Sequence, residues 1–234
     1  MSPDIRTIAQ SGASAVSVYM RQVYQWMTVG LAVTAAVAYA VANSAGLQQA
    51  ILGNSILMIA LVVAQFGLVI ALSAAVHKMS ASTATGLFLL YSVLTGAMLS
   101  SVFVIYPVAS IANAFLVTAG TFLAMSVYGT VTRRDLTAFG SFLIMGLFGL
   151  IIAMLVNLFL KNGMMDFIIS CIGVLIFTGL TAYDTQKIRN FGLGAPLEDG
   201  TAMRRGAILG ALTLYLDFIN LFLMMLRFFG TSRD

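Results

Sequence analysis

The sequence predicts an all-α polytopic membrane protein with seven transmembrane helices. Three observations carry that reading. The chain is 60% hydrophobic and 9% charged, against about 25% charged in a typical soluble domain. Long uncharged apolar runs recur along nearly all of its 234 residues and leave no room for a separate soluble domain. The runs do not alternate polar with apolar over the roughly 10-residue segments that a transmembrane β-barrel requires.

Residues 1–26 carry Arg6 and Arg21 and no apolar run long enough for a signal-peptide core, so the first long run reads as a retained span. They form a cytoplasmic or interfacial segment ahead of a seven-helix domain over 27–230. Val16, Met20, Val23 and Met27 share one helical face, and Tyr24 and Trp26 stand where an interfacial aromatic belt would lie. Two readings stand here: a short helix on the membrane surface, or an extension of the first span.

The spans read as 27–45, 50–76, 84–106, 108–131, 138–160, 165–187 and 206–229. The segment 43–53 is a polar, uncharged connection. The segment 77–83 carries one lysine. Tyr106-Pro107 is a tight turn, because proline cannot continue the hydrogen bonding of the helix before it. Thr132-Arg-Arg-Asp135 is a charged turn and Lys161-Asn-Gly163 another. The longest loop, 188–205, holds Gly192, Gly194, Pro196 and Gly200. Gly30, Thr34, Ala38 and Ala42 recur at four-residue spacing, and Gly206 and Gly210 open the last run. Small residues at that spacing let helices pack closely.

The net charge of +4 would raise nucleic acid as a partner in a soluble protein. Here no basic cluster is interleaved with aromatics, and Lys and Arg read as markers of cytoplasmic loops. With the N-terminus inside, nine of the 12 basic residues are cytoplasmic and only Lys161, Arg227 and Arg233 lie opposite. One cysteine, Cys171, and one histidine, His77, allow neither an internal disulfide nor a Cys/His metal cluster. No tightly bound cofactor is expected.

Most intramembrane polar residues are Ser, Thr or amides, which serve as interhelical hydrogen-bonding groups. The acids differ, because a central aspartate costs about 2.5–3.5 kcal/mol on insertion scales and faces a bundle interior or a water-filled cavity. Asp217 lies inside the last run and Asp184 inside the sixth. At 1.5 Å per residue Asp184 is about 8 Å and Asp217 about 14 Å from the cytoplasmic ends of their spans, within one helical turn of the same depth. Thr213, Asp217, Asn220 and Arg227 share one face of the last helix. Thr178, Thr181 and Asp184 lie close to one face of the sixth. Two carboxylates a few ångströms apart cannot both ionise cheaply, and such a pair shares a proton. The site could sense pH, hold a Ca2+ transiently through its oxygens, or activate a water. The plainer alternatives are an interfacial Asp184 paired with Lys187 and a neutral, structural Asp217.

At Thr181-Ala-Tyr-Asp-Thr-Gln186, and at Leu214-Tyr-Leu-Asp-Phe-Ile-Asn-Leu-Phe222 followed by Leu226-Arg227, the chain resembles the Bax-inhibitor-1 family. Met27-Thr-Val-Gly-Leu31 and Arg134-Asp-Leu136 are similar to its bacterial inner-membrane members. The resemblance implies a last helix enclosed by the other six and a pH-sensitive calcium leak, with Ca2+ as permeant ion. The proton sensor would be a pore carboxylate pair matching Asp184 and Asp217. It implies the lipid bilayer, Ca2+ and protons as partners, and in some bacterial relatives a membrane AAA protease that the protein modulates without catalysis. In one relative an arginine at the end of the second span latches the pair. This chain has Val76-His77-Lys78 there, so His77 and Lys78 are the candidate latch. The mid-span acid of that relative is replaced by Gln65. An intramembrane aspartyl protease is the enzymatic alternative, but its Gly-x-Gly-Asp motif is absent, since Leu214-Tyr-Leu precedes Asp217. The expectation is a protein that is not an enzyme.

Overall fold

Eight α-helices order the chain in a computed structural model that describes residues 3–194 and 200–230, with side chains over 16–193 and 200–230. They are α1 Pro3–Ala42, α2 Ala45–Leu52, α3 Ser55–Ala75, α4 Ala81–Ile105, α5 Val108–Val131, α6 Thr137–Leu160, α7 Gly163–Gly194 and α8 Gly200–Phe229. A 3-10 turn, Val76–Lys78, follows α3. Seven of the eight are long and apolar enough to cross a membrane, all but α2. The C-terminal helix is largely buried, 72% of its apolar stretch, where no other span exceeds 44%.

Local chemistry explains where the elements start and stop. The polar connection expected over 43–53 contains α2, because Ser44 accepts from the Leu47 amide and nucleates a helical turn. Asn54 then accepts from the amides of Ile56 and Leu57 and starts α3. The first helix begins at Pro3 and runs unbroken to Ala42, with Val16–Ala42 as its membrane-length part. Residues 3–26 are therefore helical and continuous with the first span. The loop expected over 188–205 is mostly helix, since α7 runs to Gly194 and α8 begins at Gly200. Pro196 in that loop, Arg233 and the side chain of Arg6 lie outside the described residues.

The chain falls into two units. The first is Met1–Ile105 with Ile188–Tyr215. Here α1 and α4 approach closely, and the small-residue stripe on α1 is the contact face. The Phe88 ring lies against Gly30, and a Cβ on Gly96 would sit 2.6 Å from the Thr34 carbonyl. The Thr34 hydroxyl donates to the Ser92 carbonyl at 2.9 Å and meets the Tyr215 hydroxyl at 2.6 Å. The Thr34 proton is committed to Ser92, so the Tyr215 hydroxyl donates. Tyr215 packs edge-on against Phe88 and Tyr91. Gly206 sits against Phe191 and Tyr19, and Gly210 against Ile188 and Val23, so these two glycines of the last helix mark close packing.

The second unit is Tyr106–Lys187 with Leu216–Asp234. Its core joins Leu143 and Leu150 of α6, Ile176, Phe177 and Leu180 of α7, and Leu221, Met224 and Met225 of α8. Phe115 and Phe122 of α5 pack edge-on against Phe218. Gly129 of α5 meets the backbone of α7, where a Cβ would lie 2.3 Å from the Ala182 carbonyl oxygen. Glycine there is a requirement of the approach. Hydrocarbon tails solvate apolar side chains as well as other side chains do, so close packing of this kind supplies much of the association between spans.

Candidate functional site

Both acids singled out by the sequence fall in the second unit, Asp184 on α7 and Asp217 on α8. Asp184 is half-buried and Asp217 is 5% exposed. Their carboxylates are close enough for the two charges to act on one another, and Lys187 acts on Asp184 from one helical turn away. The Asp217 Oδ2 atom is buried and has no hydrogen-bond partner among the described residues. Leaving a buried polar atom unpaired costs free energy, and more when it carries charge. A proton or a cation entering this site would relieve both the missing partner and the mutual repulsion.

The site is positioned by contacts on either side of Asp184. The Gly129 approach fixes α7 at Ala182. Gln186 fixes it at the other side, where its Oε1 accepts from the Leu136 amide at 2.9 Å and its Nε2 donates to the Arg134 carbonyl at 2.8 Å. The charged turn between α5 and α6 is thereby pinned to α7. Tyr183 covers Gly140, and the Lys187 ammonium lies 5.8 Å from the centre of the Tyr183 ring. Sequence reading named Gln186 only as part of a motif. Its partners are 50 and 52 residues away in the chain, beyond the reach of local pattern.

The residues expected to support the acids are hydrogen-bonded within their own helices. Thr181 donates to the Phe177 carbonyl, Thr213 to that of Leu209, and the Asn220 amide to that of Leu216. Arg227 is exposed in the last turn of α8, where a cation complements the negative end of the helix dipole. Among the described residues of this unit, the buried hydroxyls without a partner are instead those of Ser126 and Thr185.

His77 and Lys78 belong to the first unit and are exposed. The cation engaged at their turn is Arg205 of α8, whose Nη1 donates to the carbonyls of His77 at 2.6 Å and Met79 at 3.2 Å. It is the backbone of this segment, not its side chains, that the basic group holds. Gln65 donates to the Met98 sulfur. Among the described residues no group of three or more His, Cys, Asp or Glu could hold a metal ion. A divalent cation at Asp184 and Asp217 would meet two carboxylates, few against the six to eight oxygens Ca2+ takes.

A family profile described as "Inhibitor of apoptosis-promoting Bax1" matches residues 16–234. Inner membrane protein YbhL of Escherichia coli K12 is 53% identical over 94% of this chain and 94% of its own. An uncharacterized protein of Borreliella burgdorferi is 51% identical, over 92% of this chain and 93% of its own. One of Deinococcus radiodurans is 44% identical, over 96% and 95%. With seven membrane-length helices and such relatives, the chain is a multi-pass inner-membrane protein.

Proposed function

Since this chain belongs to the Bax-inhibitor-1 family, we propose that it is a pH-sensitive calcium leak channel gated at Asp184 and Asp217. The observation that supports this most is the pairing itself. Two carboxylates from adjacent spans act on one another's charge inside one unit, and one of them keeps a buried oxygen without a partner. Protons and Ca2+ then compete for the same oxygens. Two like charges in a medium of low dielectric repel strongly, and protonation of either acid or passage of a divalent cation removes that repulsion. The pair supplies at most four oxygens, so the cation's stay is short, as passage requires. Lys187 biases the balance at Asp184. The protein breaks no bond in a substrate and holds no resident cofactor. Its N-terminus lies on the cytoplasmic side, as the bias in Lys and Arg favours.

The test is calcium flux from proteoliposomes between about pH 5 and pH 8, across which proton-linked switches commonly act. Wild type is compared with Asp184→Asn and Asp217→Asn. Flux in the wild type changes across this range, and each substitution flattens the profile. Substituted proteins that leak calcium with the wild-type pH profile would refute the gate.

A further inference from the structure

Helices α6 and α7 form a hairpin pinned near both ends. At the Lys161 turn, Asn157 donates to the Asp166 carboxylate at 2.7 Å and to the Asn162 carbonyl. Near the other end, Gly140 sits under the Tyr183 ring and Gly179 against Leu143 and Phe139. Between them lies a groove of about 590 Å3, all thirteen of whose lining residues are apolar. Gly146 and Gly149 of α6 leave it open, and nothing lies within 4 Å of where a Gly149 side chain would begin. From Phe139 to Ala153 the groove follows α6 for about 21 Å at 1.5 Å per residue, more than the roughly 15 Å of one bilayer leaflet's hydrocarbon.

One end of this groove is basic. Phe139 is the third residue of α6, and the exposed Arg133 and Arg134 stand just before that helix. Gln186 holds their turn against α7, which brings the exposed Lys187 to the same end. The nearby Asp135 carboxylate is already engaged by the hydroxyl and the amide of Thr137. The groove's lining ends at Phe139, five residues after Arg134, with Lys187 at the same end of the hairpin; an apolar channel of acyl-chain length that ends toward basic residues matches an amphiphile with an anionic head.

We propose that this groove is a binding site for an anionic glycerophospholipid, with an acyl chain between α6 and α7 and the phosphate at Arg133, Arg134 and Lys187. The lipid packs on the hairpin that carries Asp184, so its binding would steady the Arg134–Leu136 turn that Gln186 holds.

Native mass spectrometry of the full chain reads the proposal directly, with phosphatidylglycerol and phosphatidylcholine of identical acyl chains as probes. The wild type retains one phosphatidylglycerol, preferred about tenfold over phosphatidylcholine, the discrimination that surface cations of this kind supply. Gly149→Phe fills the groove and loses the retained lipid. Arg133→Gln with Arg134→Gln keeps lipid in the groove and brings the preference close to one. Circular dichroism confirms that each variant is folded. Should Gly149→Phe fail to fold, the arginine variant, whose changes are at exposed positions, decides alone. Equal binding of the two lipids by the wild type, or an unchanged preference in the arginine variant, overturns the proposal. So does lipid retention in a folded Gly149→Phe, or a dimer that Gly149→Phe dissolves, which would place a second copy in the groove.

Discussion

Gly129→Ala should destabilise the protein although alanine is the better helix former. The added Cβ would lie 2.3 Å from the Ala182 carbonyl oxygen, against the 3.4 Å at which ordinary contact begins. The shortfall of about 1.1 Å falls on backbone that no rotamer change can relieve. Helix α5 must move away from α7 along that line, and overpacking of this kind costs about 1–3 kcal/mol. The same substitution recovers up to about 1 kcal/mol of helix propensity. Gly120 of the same helix isolates that gain, because nothing lies within 4 Å of its would-be Cβ. Gly120→Ala should therefore be neutral or stabilising, and the two variants should differ by about 1–3 kcal/mol, the packing cost alone. Thermal unfolding in detergent, followed by the loss of the monomer peak on size exclusion, ranks them. Ala182 is two residues from Asp184, so Gly129→Ala should also alter calcium flux where Gly120→Ala does not. Equal melting temperatures for the two variants would refute the close approach of α5 and α7.

Gln186→Leu removes both bonds that tie the Arg134–Leu136 turn to α7 and leaves a buried amide unpaired, a loss of about 1–3 kcal/mol in the same unfolding assay; Gln186→Glu, which keeps only the acceptor, should fall between. Arg205→Met strips the donor from the His77 and Met79 carbonyls, so amide exchange over 76–83 should quicken, and Arg205→Lys should restore part of the protection. The Asp135 carboxyl is held below its ordinary value of 3.8 by hydrogen bonds from the hydroxyl and amide of Thr137. A depressed value means that its stabilising contribution is fully present above the ordinary value and fades as pH falls through the folded one. Melting temperature against pH should therefore lose that acid limb in Asp135→Asn, and an unchanged limb would discount the Thr137 contacts.

All seven spans were legible because each needs about 20 apolar residues, a signal that no loop in this chain imitates. Their ends were less so. The requirement to cross a membrane fixes where apolar side chains must be, but a helix continues as far as its backbone bonds are worth making. That is why α1 reaches back to Pro3 and α7 forward to Gly194. The short α2 was hidden because Ser44 read as a loop residue and Asn54 fell inside the span expected over 50–76, when both cap helices. At the site, the two acids stood out from sequence by their cost in lipid. Their surroundings did not, since helical periodicity gives the face of a hydroxyl but not its rotamer. Thr181, Thr213 and Asn220 turn back to carbonyls four residues earlier, a choice that a face diagram cannot register. Arg205 meets a turn 128 and 126 residues earlier in the chain. Its partner could only be found once the chain was folded.

Helix α8 is divided at Tyr215–Leu216 between the two units, and it follows the other seven described helices in the chain. Tyr215 completes the aromatic packing around Phe88 and Tyr91, while Leu221, Met224 and Met225 complete the core around Leu143 and Ile176. Neither unit can therefore close before α8 has been made. For that interval six spans wait in the bilayer with glycine-lined notches and small polar groups uncovered. A ribosome that stops short of the eighth helix leaves two unfinished cores rather than one damaged end. A break anywhere near the middle of this one helix therefore costs two cores at once, one on each side of Tyr215–Leu216.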